Sequence, residues 1–346
     1  MRFKFAWDIP LRERRINYVI ATAVLGLGIY HCMFTIFMIV TTTSSSQQYK
    51  LASALVSLNW TCQSVVSAFF FIQWQQSNTL REFVSLLQIP QRFKGCHKGE
   101  RLLQLVLSFM IVIMGTITCI HLLFLFIVVL NIPQMPFIYG RLDMIKREFY
   151  FEALAFVPSL LGIYLNCLWA IALFTYILFT TAAYLEFKEY NNRLRKLGKD
   201  ANAVFTEKTL IDLIEMHRAL AQAVRKLDKL FKAYAFVMIA SNIPATIFSI
   251  LLIASSSNLP LLHLLFAIPS ILFCIIELVG LTWAPAMLHG AICKSNTLLF
   301  SNQKIWSPYR PVVYQVASSL LCHLNQTNLG VSIWGFAVVT KPLILT

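Results

Sequence analysis

The chain has 346 residues, is 58 % hydrophobic and only 13 % charged, against about 25 % charged in soluble domains, and its mean hydropathy is +0.68. That composition excludes an ordinary water-soluble domain. The net charge of +14 is spread over separate segments rather than gathered into one face, which excludes a nucleic-acid partner.

Apolar windows of membrane-crossing length, about 20 residues, recur along the chain, and they predict an all-α, polytopic membrane helix bundle. A basic tail over 1–17 (Arg2, Lys4, Arg12, Arg14, Arg15) precedes the first helix, Tyr18–Val40. That run is too long for a signal-peptide core and lacks a cleavage site. The second helix is Leu51–Trp74, followed by a basic loop to Arg101; the third is Leu105–Leu130, followed by a loop holding Arg141, Lys146 and Arg147. The fourth is Phe156–Tyr184, closing a region of four membrane helices over 18–184. Next comes a charged stretch over 185–232, then the fifth and sixth helices, Ala233–Ala254 and Leu261–Met287, within 233–287. Lys and Arg concentrate in the tail, the second loop, the 185–232 stretch and the segment after helix six. Positive charge marks the cytoplasmic side, so the N-terminus is expected inside, in a multi-pass protein of the plasma membrane surrounded by lipid.

The 185–232 stretch predicts a cytoplasmic helical hairpin. Helix four continues through "YLEFKEYNNRLRKLGK", and Gly198, Asp200 and Asn202 supply turn chemistry. Thr206 is a plausible N-cap with Glu207 in the first turn. Leu210, Leu213, His217, Leu220, Val224, Leu227 and Phe231 then hold one face at helical spacing. Such a stripe serves either a hairpin that packs on itself or a bundle where subunits meet, and its length favours the second.

No Cys/His spacing reads as a metal site and no cofactor motif occurs. Cys32, Cys62, Cys119, Cys167 and Cys274 fall in membrane helices and none of the 8 cysteines lies in an outer loop, so no extracellular disulfide is expected. Glu277 is the one acid inside the six helices, and an intramembrane ionisable group marks a site or a partner; its bland alternative is a carboxyl bridging helices. Trp60, Gln63, Tyr164, Asn166, Trp169, Phe248 and Phe266 have the composition of a small-molecule pocket, apolar with a few polar handles. His121 and His263 read as packing residues. There is no paired carboxylate for an intramembrane enzyme.

"LIEMHRALAQAVRKLDKLFKAYAFVMIASNIPATIF" and "NLGVSIWGFAVVTKPLILT" resemble the cytoplasmic helix with membrane helix five, and the penultimate stretch, of the insect gustatory receptor superfamily and its seven-helix nematode relatives. In those proteins a short cytoplasmic helix ends in a Gly-aromatic pair, and a hydroxyl-basic dipeptide opens the last membrane helix. The resemblance implies a tetrameric, ligand-gated, non-selective cation channel of identical or related subunits, with the small molecule bound by helices one to six. It implies an anchor over 288–337, to which Trp334 and Phe336 belong together with Leu213, His217, Leu220, Val224 and Leu227, and a seventh helix lining the pore. Residues 338–346 would be only the start of that helix, interrupted by Lys341 and Pro342, so the chain is expected to pass no current alone. Some relatives respond to light or peroxide, which leaves the stimulus open. A secondary transporter is the rival, because Pro244, Pro269 and Pro285 interrupt helices five and six, but helices one to three show no matching repeat. A G-protein-coupled receptor requires the opposite orientation.

Orientation is directly testable. A reporter fused to the N-terminus should sit in the cytoplasm and one inserted beside Arg141 should be outside; an extracellular N-terminus contradicts the charge argument.

Overall fold

Inside hydrocarbon every backbone N–H and C=O must be satisfied within the protein, which leaves helices as the way for this chain to cross. The computed structural model describes residues 11–42, 48–91, 98–129, 156–199, 207–254, 261–325 and 328–345. These form α1 (Leu11–Thr42), α2 (Gln48–Gln76), α3 (Asn78–Gln91), α4 (Lys98–Val129), α5 (Phe156–Lys199), α6 (Glu207–Ala254) and α7 (Leu261–Phe300). The short α8 (Gln303–Trp306) and α9 (Pro311–Leu324) follow. A two-stranded hairpin, β1 (Ser332–Ile333) and β2 (Ala337–Val338), and α10 (Lys341–Leu345) close the described chain. Among the described residues five helices, α1, α2, α5, α6 and α7, are long and apolar enough to cross a membrane. The described apolar stretch of α4, Gln104–Ile120, is shorter than the third membrane helix expected from the sequence. The tail to residue 10, the loop holding Arg141, Asp200, Asn202 and Thr206 lie outside the described residues.

The chain divides into two compact units. The first gathers Met1–Gln76, Leu107–Phe174 and Val237–Val279. Its outward surface is apolar: Met33, Phe37, Val40, Ile111, Val112, Ile243, Ile247, Ile250, Leu272 and Ile275 are all exposed. Water penalises such a surface and lipid does not, so this is the membrane unit. The hydroxyls of Thr22 and Thr35 in α1 turn back onto their own helix, Thr22 Oγ1 to Tyr18 O at 2.9 Å and Thr35 Oγ1 to His31 O at 2.8 Å, so each donor is satisfied without water. Ala68, Leu161 and Leu165 form a buried cluster with Val24, Leu25, Val65 and Leu168 against it. Gly28 lets α1 approach: a Cβ there meets Val65 Cγ2 at 2.8 Å and Leu165 Cδ1 at 3.1 Å.

The second unit gathers Ser77–Val106, Thr175–Phe236 and Gly280–Thr346. Its α6 segment is amphipathic. On α6 the charged residues Glu207, Lys208, Asp212, Glu215, Arg218, Arg225, Lys229 and Lys232 are exposed, while Leu210, Leu213, Leu220, Val224, Leu227 and Phe231 are buried, the amphipathic pattern of a solvated helix on a core. Phe231 meets Tyr176 edge-on at 5.2 Å between ring centroids and stacks with Phe179 at 6.4 Å. Polar cross-links add register: Asn191 Nδ2 donates to Ala291 O at 2.7 Å, its Oδ1 accepts from Ser295 Oγ at 2.7 Å, and Lys226 pairs with Glu82.

The end of the chain differs from the resemblance. The Gly-aromatic pair does not terminate a helix; α9 stops at Leu324, and Trp334 and Gly335 form the tip of the β1–β2 hairpin. Both have positive φ, +53° and +84°, and Phe336 N donates to Ile333 O at 2.9 Å, a β-turn within the connection of three residues, 334–336, between the paired ends Ile333 and Ala337. Gly335 takes its φ freely, whereas Trp334 is held there against a preference of roughly 1–2 kcal/mol. Thr340 does open the next helix, its Oγ1 accepting from Leu343 N at 3.4 Å as an N-cap. That helix starts at Lys341 rather than at residue 338, because Val338 is paired with Ser332 in the hairpin.

Gly28→Ala should lower the stability of the full chain by about 1–3 kcal/mol, the usual effect of overpacking. Gly26→Ala, with open space at its Cβ, should leave it unchanged or raise it slightly. Thermal unfolding in nanodiscs of the two variants decides; equal melting contradicts the close approach of α1.

Candidate functional site

The residues that make the membrane unit unusual are its polar ones. On α6, Asn242, Thr246 and Ser249 share one face at helical spacing. Asn242 and Ser249 are buried, and this face meets Glu277, Cys274 and Ser270 of α7. Glu277 is 0 % exposed, and its two oxygens have donors from two other helices. Trp169 Nε1 of α5 donates to Oε1 at 3.3 Å, and Asn242 Nδ2 of α6 donates to Oε2 at 2.7 Å. Asn242 Nδ2 also reaches Cys274 O at 3.1 Å. Thr246 Oγ1 lies 2.9 Å from Asn242 O and 3.2 Å from Asn242 Oδ1, and it donates to that residue. A buried carboxyl leaves an uncompensated cost when donors are missing; here both oxygens are met.

One turn toward the start of α7 the network becomes aromatic. Trp60 of α2 donates its Nε1 to Ser270 Oγ at 2.8 Å, and Ser270 shares a 2.9 Å hydrogen bond with Ser249. Trp60 meets Trp169 edge-on at 5.4 Å and Phe273 at 6.3 Å, and Trp169 meets Phe273 at 6.3 Å. Phe248 packs with Trp60 on Val56. Gln63 and Ser64 lie one turn further along α2. Gln63 Nε2 donates to Ser241 Oγ at 3.0 Å, and Ser64 Oγ donates to Asn166 Oδ1 at 2.9 Å.

Six of the eight residues singled out from the sequence therefore fall in one connected neighbourhood: Trp60, Gln63, Asn166, Trp169, Phe248 and Glu277. Tyr164 does not join them; it is 43 % exposed, on the outward face of α5. The side chain of Phe266 lies outside the described residues. Sequence reading missed Ser241, Asn242, Ser270 and Phe273. The spacing Asn242, Thr246, Ser249 was the available signal, a polar face inside an otherwise apolar helix.

The residues assigned to assembly divide in two. Leu213, His217, Leu220, Val224 and Leu227 are buried inside the second unit, where they hold the hairpin rather than face outward. Trp334 and Phe336 are exposed, 51 % and 82 %. The hairpin bearing them is clamped to α6: Asp228 Oδ1 accepts from Ser332 N at 2.6 Å and Ser332 Oγ at 2.7 Å, and Trp334 N donates to Lys232 O at 3.2 Å. Trp334 also packs edge-on against Phe236 at 5.2 Å. Close approach is required beside it, since a Cβ on Gly330 would collide with Val338 Cγ1.

His217 is packed between Phe187 and Tyr190, and its Nε2 has no hydrogen-bond partner among the described residues. Burial first, then the charges of His323 and Arg225, push its pKa down from 6.5 to about 4. The unfolded chain takes up a proton near 6.5 and the folded one only near 4, so acid favours unfolding. Stability of the full chain should fall as pH drops from about 6.5 to about 4, on the order of 3 kcal/mol from this residue. His217→Leu should flatten that part of the profile in thermal unfolding; an unchanged slope removes His217 as its source.

No protein-family model matches this chain, and no curated protein matches it. Solved structures do. The insect olfactory receptor OR5 from Machilis hrabei aligns over 99 % of this chain and 89 % of its own, with a TM-score of 0.65 at 11 % identity. The same receptor in complex with eugenol aligns over 97 % of this chain and 86 % of its own, with a TM-score of 0.65 at 13 % identity. At such low identity the likeness speaks for architecture, and it extends over nearly the whole chain. The chain has the fold of an insect olfactory receptor.

Proposed function

We propose that the chain is a gustatory-type chemosensory receptor, a subunit of a ligand-gated, non-selective cation channel of four like or related subunits in the plasma membrane, with its N-terminus cytoplasmic. The observation that carries this reading is a receptor fold with a buried polar and aromatic cluster inside its membrane unit. An intramembrane carboxyl with named partners is a functional position by default, and aromatic walls with few polar groups suit a small organic molecule. The ligand belongs at Trp60, Gln63, Asn166, Trp169, Phe248 and Glu277. Its arrival would have to rearrange rings now packed edge to edge and so shift α2, α5, α6 and α7 against one another. The assembly surface belongs to Trp334 and Phe336, with the buried stripe from Leu213 to Leu227 as the frame behind them.

Tryptophan fluorescence of the purified chain in nanodiscs tests the site. Eugenol, the ligand held by the similar receptor, and other small aromatic volatiles are the first probes. Saturable quenching is expected from at least one of them, and Trp60→Ala or Trp169→Ala should weaken it tenfold or more, by about 1.4 kcal/mol. Saturable binding unaffected by both changes places the ligand elsewhere. Mass measurement should find four copies in the native chain and fewer in Trp334→Ala with Phe336→Ala; an unaltered tetramer moves the interface off the hairpin.

A further inference from the structure

Resting on the proposed ligand site, the inference concerns what the ligand must carry. Gln63 is 1 % exposed, and its amide is half satisfied. Nε2 donates to Ser241 Oγ at 3.0 Å, while Oε1 has no hydrogen-bond partner among the described residues. Turning the amide over does not cure this. Ser241 Oγ donates to Met238 O at 3.2 Å and accepts from the amide nitrogen at 3.0 Å, an arrangement that satisfies the hydroxyl on both sides and that a turned amide would break. The donors nearby on α2 are also engaged. Asn59 Nδ2 donates to Ser241 O at 3.3 Å, Trp60 Nε1 to Ser270 Oγ at 2.8 Å, Ser64 Oγ to Asn166 Oδ1 at 2.9 Å and Ser67 Oγ to Met238 Sδ at 3.8 Å. The result is a buried acceptor beside an aromatic cluster, with the surrounding protein donors turned elsewhere.

A buried acceptor without a donor is unfavourable by about 1–3 kcal/mol, more than a helix seam inside a membrane carries without reason. We propose that the site takes an uncharged small molecule bearing a hydrogen-bond donor, a phenol or alcohol hydroxyl, and that Gln63 Oε1 receives that donor. A cation is disfavoured on the same geometry. Both oxygens of Glu277 already hold donors, so the carboxyl of the cluster is already engaged and does not await an ammonium group. An anion is disfavoured because the cluster carries no positive side chain.

The probes are guaiacol and its O-methyl ether veratrole, which share ring and size and differ in the donor. Each is titrated against the full chain in nanodiscs, followed by tryptophan fluorescence. Guaiacol should bind about tenfold tighter than veratrole, the worth of one hydrogen bond to a neutral group. Gln63→Met, close in volume and unable to accept strongly, should bring guaiacol down to the level of veratrole and leave veratrole unchanged. Equal affinity of the two for the native chain overturns the proposal, as when a water fills the acceptor in both cases, and this comparison needs no variant to fold. A preference that survives Gln63→Met, or no binding of guaiacol at all, overturns it as well. Trp60→Ala separates the two layers of the argument. If it abolishes both compounds while Gln63→Met changes neither, the ligand site stands and the donor rule falls. If it alters neither compound, the site itself is misplaced and the donor rule goes with it.

Discussion

A carboxyl group buried among membrane helices is tolerated only where other helices bring it donors, and Glu277 is met by two. Trp169 comes from α5 and Asn242 from α6, each closing on a different oxygen of a residue in α7. Three helices are thereby held in register by one side chain. Lipid gives no general hydrophobic push between such helices, so packing and hydrogen bonds of this kind decide how they sit. The consequences spread outward from that point. Asn242 also takes Cys274 O, Trp169 turns its ring onto Trp60, and Trp60 reaches Ser270. The proposed site and the scaffold of the membrane unit are largely the same atoms, and a ligand there that displaced one ring would displace the helix it belongs to.

The second unit solves the opposite problem. It carries an exposed row of charges on α6, and burial of Leu, Val, Phe and Tyr supplies its cohesion. Specificity is added by a few polar ties, such as Asn191 between Ala291 and Ser295. Asp228 has a further part: by holding both the backbone and hydroxyl of Ser332, it fixes the hairpin immediately before α10. The strained Trp334 conformation is maintained by this clamp together with the contact to Phe236. The hairpin is thus tied to α6 by directed bonds.

Much of this was legible in the residues. Long apolar runs announce membrane helices, and the Leu210 to Phe231 stripe announces a helix with one buried face. Glu277 stood out because an acid in such a run needs an explanation. What remained hidden depended on partners far apart in sequence. Tyr164 has the composition of a pocket residue and lies on α5 near Trp169, yet it points outward, because helix rotation is set by the neighbours and not by residue type. Asn242 was passed over as one amide among several, and only its proximity to Glu277, 35 residues away, gives it a role. The hairpin at Ser332–Val338 was also unreadable as such, since its apolar residues fit a helix equally well until Asp228 and Lys232 supply the bonds that favour a turn. The stripe raised the question of self-packing or subunit contact, and its residues from Leu213 to Leu227 are buried within this one chain.

The most direct measurement is a double-mutant cycle on Asn242→Ala and Glu277→Ala, read from unfolding of the full chain in a bilayer mimetic. Coupling between polar pairs in membrane proteins averages about 0.6 kcal/mol and reaches about 1.7 kcal/mol. If Glu277 is the tie among α5, α6 and α7, the coupling should lie at the upper end, about 1.5 kcal/mol or more, with the double variant much less destabilised than the sum of the singles. Additive losses would show that the two residues act independently and that the membrane unit is not organised around this carboxyl.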